Sequence, residues 1–400
     1  MYLSHKIALD PNDKQRTYFA KASGTARFVY NWGLAEWQRQ YAACKLDATV
    51  PKPSHFSLDK QLNEIKKKQF PWLMDVTKCA PQIALANLGS AFKNFFKKTG
   101  KYPQFKKRGV HDSFGLQSDS FRIKGSKLWV PKLGFVKMHE PLRFEGKLIK
   151  ATISRTADRW FVSATVEVPD TLLPSAENQG ALGVDLGITT LATLSTGEKV
   201  VGPRAHKALL DRVRRQSRQV SRKVKGSKNS EKAKRMLAKT HARIANIRKD
   251  VLHKLTTRLT QEYTTVCIED LNVSGMAKNR RLARSIMDSS FGEFRRQLEY
   301  KSLRRGGKIV VADRWYPSSK TCSTCGFKMK DLPLSVRDWS CSSCHTKHDR
   351  DVNAAINLRN IAVGSTVTAC GEESSGSSRK TRVKLASMKQ EPTGETSGLA

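Results

Sequence analysis

Between residues 322 and 344 the sequence reads Cys322-x2-Cys325-x15-Cys341-x2-Cys344, and few other patterns leave a polypeptide so little choice. Two such knuckles at that separation match a zinc spacing. Four thiolates close a tetrahedron around one Zn2+ and leave no position for water, so the ion's task is to fold a segment too small for a core of its own. Cys341-Ser342-Ser343-Cys344-His345 also spells the c-type haem attachment sequence, but that reading gives the upstream cysteine pair nothing to do. His345 and His348 could compete as ligands, although four cysteines already satisfy the metal. Cys44, Cys79, Cys267 and Cys370 are scattered and read as small buried or surface residues rather than disulfide partners.

The partner is announced by charge. Lys and Arg total 73 against 35 Asp and Glu, a formal +38 that far exceeds what solubility requires and implies a polyanion, nucleic acid first. A membrane is a poor alternative, because no apolar run approaches the roughly 18 residues of a spanning helix. The opening Met1-Tyr2-Leu3-Ser4-His5-Lys6 has no secretory core, so an intracellular, cytoplasmic protein is expected. At 400 residues, two or three domains are expected.

Along the chain, Tyr2 to Leu9 reads as a strand, with Asp10 and Pro11 placed to open a helix. Tyr18, Phe19, Phe28, Val29, Trp32 and Trp37 supply core anchors. A second helix over Ala80 to Lys98 adds Ile83, Leu85, Leu88, Phe92, Phe95 and Phe96. From Phe114 to Val168 short apolar runs broken by Gly and Pro predict a small antiparallel barrel or sandwich. Pro169 to Gln179 reads as a linker. Two strands around a Gly turn follow from Gly180 to Leu194, then a basic helical pair over 204–262 broken at Gly226 to Ser230. In its second member Leu237, His241, Ile244, Ile247, Val251, Leu255 and Leu259 recur at helical spacing, leaving the Lys/Arg face for solvent or for phosphates. Strands at Thr264 to Leu271 and Lys308 to Ala312, separated by a helix over Phe291 to Leu303, complete an α/β core with an open sheet. The tail from Gly364 is polar and reads as disordered.

Three acids stand where catalysis could use them. Asp185 in Gly183-Val184-Asp185-Leu186-Gly187 and Glu269 in Val266-Cys267-Ile268-Glu269 end apolar strands, and Asp351 starts a helix just after the cysteine segment. Each has a plain alternative: a turn residue, a solvent-facing side chain and an N-cap. Together they can converge on one point, as oxygen-ligand Mg2+ sites require. Phosphodiester hydrolysis there would use two metals roughly 3.5 to 4 Å apart and no nucleophilic side chain. Neither a Gly-x-Ser-x-Gly elbow nor a phosphate loop is present in the sequence.

With these residues in hand the chain resembles the TnpB family, encoded by small bacterial insertion sequences and related to the type V CRISPR effector nucleases. Pro11-x3-Gln15 and Arg27-Phe28-Val29-Tyr30-Asn31-Trp32 resemble the family's helix-turn-helix opening. Tyr102-Pro103-Gln104-Phe105-Lys106 and Val130-Pro131-Lys132-Leu133-Gly134 are similar to its next signatures. Gly183 to Gly187, Ile268-Glu269-Asp270-Leu271, Ser318-Ser319-Lys320-Thr321-Cys322 and His348-Asp349-Arg350-Asp351-Val352-Asn353 resemble its three RuvC-like motifs and zinc ribbon, in order.

The resemblance implies an α/β plus β-barrel chain: a wedge-like barrel at 1–10 and 101–170 with a helical recognition region at 11–100. An RNase H-like, RuvC-type core at 171–320 and 346–363 would follow, carrying the basic insertion 204–262 and interrupted by a zinc ribbon at 321–345, before the tail 364–400. It implies catalysis by Asp185, Glu269 and Asp351 with Mg2+, structural Zn2+ on the four cysteines, and double-stranded DNA as target. A guide RNA transcribed from the element's end would read most of the sequence, the protein reading a short adjacent motif. Lys78 and Gln82, four apart on the recognition helix, match family positions that could read base edges, or are simply surface residues on an amphipathic helix. A DNA-binding regulator without chemistry and a transposase acting without RNA remain the competing expectations.

Overall fold

The computed structural model describes residues 1–47, 49–169, 177, 179–333 and 335–367. Most of the expected linker and tail therefore lie outside the described residues, as does Cys370. No helix among the described residues is long and apolar enough to cross a membrane.

Strand β1 (Tyr2–Asp10) alternates, burying Leu3, His5, Ile7 and Leu9 while the residues between face outward. Asn12, rather than Asp10 or Pro11, opens helix α1 (Asp13–Leu46). Its Oδ1 accepts from the Gln15 backbone N–H at 2.9 Å, and Gln15 Oε1 accepts from the Asn12 N–H at 3.0 Å, a reciprocal capping box. Helix α1 runs 34 residues without interruption, where the resemblance implied a helix-turn-helix. Gly33 does not break it, because the missing side chain is filled by Leu85 and Leu88.

Helix α2 (His55–Gln69) buries only Leu58 and Leu62, too few apolar residues for the sequence to announce it. A 3-10 turn over Pro71–Asp75 leads into α3 (Cys79–Phe96). Trp37 of α1 stacks on Phe92 of α3 at 4.2 Å. Phe96, expected in the core, ends its helix beyond the packed face and is exposed.

The β-rich segment forms β2 (Ser113–Gln117), β3 (Arg122–Lys124), β4 (Lys127–Val130), β5 (Gly134–Met138), β6 (Lys147–Thr156) and β7 (Arg159–Glu167). With β1 they make a seven-stranded sheet ordered β2-β6-β7-β1-β5-β4-β3, antiparallel throughout, whose edge strands do not bond to each other. One continuous core joins this sheet to α1, α2 and α3.

The second unit is a five-stranded sheet ordered β10-β9-β8-β11-β12. Its strands are β8 (Ala181–Asp185), β9 (Ala192–Leu194), β10 (Lys199–Val200), β11 (Thr265–Glu269) and β12 (Lys308–Ala312), with β8, β11 and β12 parallel. Between β10 and β11 lie α4 (Ala205–Ala208), α5 (Leu210–Ser221) and the 35-residue α6 (Lys228–Glu262). In α6, Ile244, Leu252, Leu255 and Leu259 are buried, whereas His241 turns out to be exposed. Helices α7 (Val273–Met276), α8 (Ala283–Ser289) and α9 (Phe291–Arg304) connect β11 to β12.

The ribbon hairpin β13 (Asp338–Ser340) and β14 (Lys347–Asp349) then runs directly into α10 (Arg350–Val367), so the ribbon extends past the expected boundary at 345. Strand β11 explains why its sequence is apolar throughout. Val266 and Ile268 pack toward α6 and α9, while Cys267 packs against Leu358 and Ala362 of α10, so both faces are covered.

Candidate active site and metal centre

The parallel register of β8 and β11 pairs Ile268 with Val184, so the next residues, Glu269 and Asp185, leave neighbouring strands at the same level. Val184 and Ile268 face α6 and α9. Period two therefore turns both acids toward the opposite face, where α10 lies. Gly183 makes that approach possible: a Cβ there would stand 1.9 Å from the Ala355 carbonyl oxygen. The glycine before Asp185 is thus not an open turn position but the groove in which α10 lies.

Asp351 sits in the first turn of α10, and it is not the cap. Asp349 takes that role, its Oδ1 accepting from the Asp351 and Val352 backbone N–H groups at 3.1 and 2.9 Å. Lys199 holds the other Asp349 oxygen at 2.6 Å. Asp351 is left free to face the strand ends, and all three acids are half-buried. Burial together with the negative charges of Glu269 and Asp351 pushes the Asp185 carboxyl up to about 8. An ionised Asp185 is therefore disfavoured beside Glu269 and Asp351, and a divalent cation would relieve that. Their oxygens are not yet gathered into one coordination sphere. Among the described residues the four cysteines are the only group of three or more such side chains whose ligand atoms all lie within 4.8 Å of one another.

Two side chains that the sequence reading missed complete the site. Ser318 donates its hydroxyl to Glu269 Oε1 at 2.6 Å, and Arg337 from the ribbon contacts Asp351 Oδ1 at 3.0 Å. The adjacent Asp270 pairs with Arg295 and Arg314 at 2.9 and 2.5 Å, so these cations are kept off Glu269. Only the position of Ser318 four residues before the first cysteine could have suggested its role. Arg337 required the ribbon's fold.

Cys322, Cys325, Cys341 and Cys344 form a closed cluster able to hold one metal ion. Hydrogen bonding with Thr346 draws the Cys344 thiol down while its cluster neighbours push the Cys325 thiol up, and a metal ion would need both as thiolates. His348 lies beside the cluster rather than in it, its Nε2 3.0 Å from the Cys322 sulfur, and His345 is exposed. Cys79 and Cys267 are buried, and burial pushes the Cys267 thiol up to about 12. Asn353 and Asn357 of α10 dock the ribbon, both donating to the carbonyl of Thr321 at 2.7 Å, with Asn357 also reaching Ser318 O at 2.7 Å.

Lys78 caps α3 and is exposed, and Gln82 lies in the first turn. Both line one cavity of about 290 Å3 with Asn63 and Lys66 of α2 and Lys132 of the turn between β4 and β5. A second basic cleft joins the two units: Lys6 and Arg159 of the sheet face Lys239, Arg243 and Lys249 of α6, and Lys239 pairs with Asp158 at 2.7 Å.

Residues 163–280 match the OrfB_IS605 family, described as "Probable transposase", residues 291–358 the Cas12f1-like TNB domain, and residues 1–45 a helix-turn-helix domain. A Streptomyces pristinaespiralis protein named as a candidate RNA-guided DNA endonuclease is 40% identical over 98% of this chain and 97% of its own. InsQ of Escherichia coli K12, named likewise, is 33% identical over 92% of this chain and 93% of its own. In fold, a Cas12f1 chain solved in complex with sgRNA and target DNA matches with a TM-score of 0.55 at 15% identity, covering 86% of this chain and 83% of that one.

Proposed function

The chain belongs to the TnpB family of IS605-type insertion-sequence proteins, and on that footing we propose that it is an RNA-guided, Mg2+-dependent endonuclease that cuts double-stranded DNA. The observation that carries this reading is the convergence of Asp185, Glu269 and Asp351 from two adjacent strand ends and a facing helix start. Divalent cations held by these carboxylates would acidify an attacking water and offset charge on the leaving 3′ oxygen. The chain's own residues supply the rest. Ser318 fixes the orientation of Glu269, and Arg337 brings a guanidinium to the edge of the site, where it can leave Asp351 for a phosphate.

The formal charge of +38 supports a long polyanionic partner, which we assign to a guide RNA from the element's end paired with its target. We assign the reading of a short motif on the adjoining duplex to Lys78 and Gln82, a reading supported by their lining one cavity with Asn63. Zn2+ on the four cysteines would hold the ribbon against α10.

Purified protein with its co-purifying RNA, Mg2+ and a matched duplex should cut, and Asp185→Ala should abolish cutting while leaving binding intact. Sequencing that RNA should return the guide. Wild-type protein that binds but never cuts would establish the regulator instead. Target choice indifferent to the RNA would establish a transposase acting alone.

A further inference from the structure

Trp315 is the most exposed aromatic side chain among the described residues, at 84%, and it lies three residues past the end of the strand that pairs with β11. Strand β12 ends at Ala312, the register partner of Glu269 on β11. Neighbouring strands lie about 4.8 Å apart, and three further residues span at most about 10 Å. The indole is therefore carried within a few nucleotides' reach of Glu269.

The loop that carries it is pinned on both sides. Asp313 Oδ1 accepts from the Trp315 backbone N–H at 2.8 Å, and Asp313 O accepts from the Tyr316 N–H at 3.0 Å. Arg314 is tied to the Asp270 side chain at 2.5 Å, and Ser318 to Glu269 at 2.6 Å. Tyr316 turns inward and is half-buried, so the loop had a way to hide an aromatic ring and hides the other one. Among the described residues no ring or cation packs on the Trp315 indole. A large apolar plane left in water on a hydrogen-bonded loop a short way from Glu269, on a strongly basic protein, suits one ligand best: an unpaired base, whose face is open for stacking whatever its identity.

We propose that Trp315 is a stacking platform for an unpaired base of the DNA strand that enters the acidic site. The proposal rests on the nuclease reading above and adds to it the single-stranded form of the substrate at that point. The platform positions the strand; it takes no part in the chemistry.

The assembled RNA–protein complex in an Asp185→Ala background provides a direct test, using matched duplexes with 2-aminopurine stepped through the strand positions nearest the cut. Stacking on indole quenches the probe. One or two adjacent positions should be quenched with Trp315, should brighten severalfold with Trp315→Ala, and should stay quenched with Trp315→Phe. With Asp185 intact, Trp315→Ala should slow single-turnover cleavage about tenfold, with duplex half-saturation unchanged, and Trp315→Phe should restore most of the rate. Identical probe signals with Trp315 and Trp315→Ala at every position overturn the platform. So does a Trp315→Ala defect confined to duplex affinity, which would make the ring a docking contact. Wild-type protein that shows the position-specific quench yet never cuts refutes the nuclease reading and leaves the platform standing.

Discussion

Burial and the neighbouring charges of Glu269 and Asp351 make an ionised Asp185 costly in the cation-free protein. Its folded value of about 8 lies above the ordinary 3.8, so the native state holds a proton that the unfolded chain releases. Stability from this group therefore falls as pH rises across that window. Asp185→Asn should melt about 2 °C or more above wild type at pH 8 in Mg2+-free buffer with zinc retained, one pKa unit being about 1.4 kcal/mol. The gap should close near pH 4. Added Mg2+ should raise the melting temperature of wild type and leave that of the variant nearly unmoved. A variant less stable than wild type at pH 8, read by scanning calorimetry, would mean the three charges do not repel as described. Gly183 gives a second case. A methyl group there meets the Ala355 carbonyl oxygen and the Arg359 nitrogen, at 1.9 and 2.4 Å. Backbone cannot swing aside as a side chain can, so Gly183→Ala should cost about 3 kcal/mol, seen as a lower denaturant midpoint, and should abolish cutting by displacing α10.

Zinc, the ribbon and α10 behave as one element. Asn353 and Asn357 are 1% and 3% exposed and spend their amides on the carbonyls of Ser318 and Thr321, the residues leading into the first knuckle. Asn357→Ala removes two buried hydrogen bonds, leaving the Ser318 and Thr321 carbonyls to Asn353 alone, and should cost about 1 kcal/mol. Stripping zinc should remove hydrogen-exchange protection from residues 318–349 and the first turn of α10, while β1 to β7 stay protected. Uniform loss across both sheets would show that the ribbon is not a separate folding unit. Much of this layer was legible beforehand. Short apolar runs marked β8 and β11, the first of them flanked by Gly, the cysteine spacing marked the ribbon, and the bend at Gly226 to Ser230 separated α5 from α6. What escaped had a physical reason. Helix α2 buries only Leu58 and Leu62 and so lacks a readable stripe. The cap on α10 is Asp349 rather than Asp351, and two aspartates two residues apart look alike until the backbone shows which one turns back. Ser318 and Arg337 reach the acids only through tertiary folding, which no periodicity encodes.

At the scale of the whole molecule the excess of cations has a definite cost and a definite use. Lys6 has its ammonium pushed below the usual lysine range by burial first and by Lys249 second, in the cleft of about 580 Å3 between the sheet and α6. Asp158 is the one acid lining that cleft, and Lys239 already neutralises it. Like charges crowd there because something else is meant to neutralise them, and an RNA backbone would do so while releasing its counterions. Replacing Lys6, Arg243 and Lys249 together by Gln should therefore act in opposite directions on two observables. The free protein should become slightly more stable, since repulsion is relieved. Its affinity for the co-purifying RNA should fall, and the slope of log affinity against log salt should become shallower by about 2 to 3, one phosphate contact contributing about 0.7 to 0.9. A filter-binding series between 50 and 300 mM salt would read the slope directly. An unchanged slope with reduced affinity would place the RNA elsewhere on the surface and leave this cleft as a mere seam between the two units.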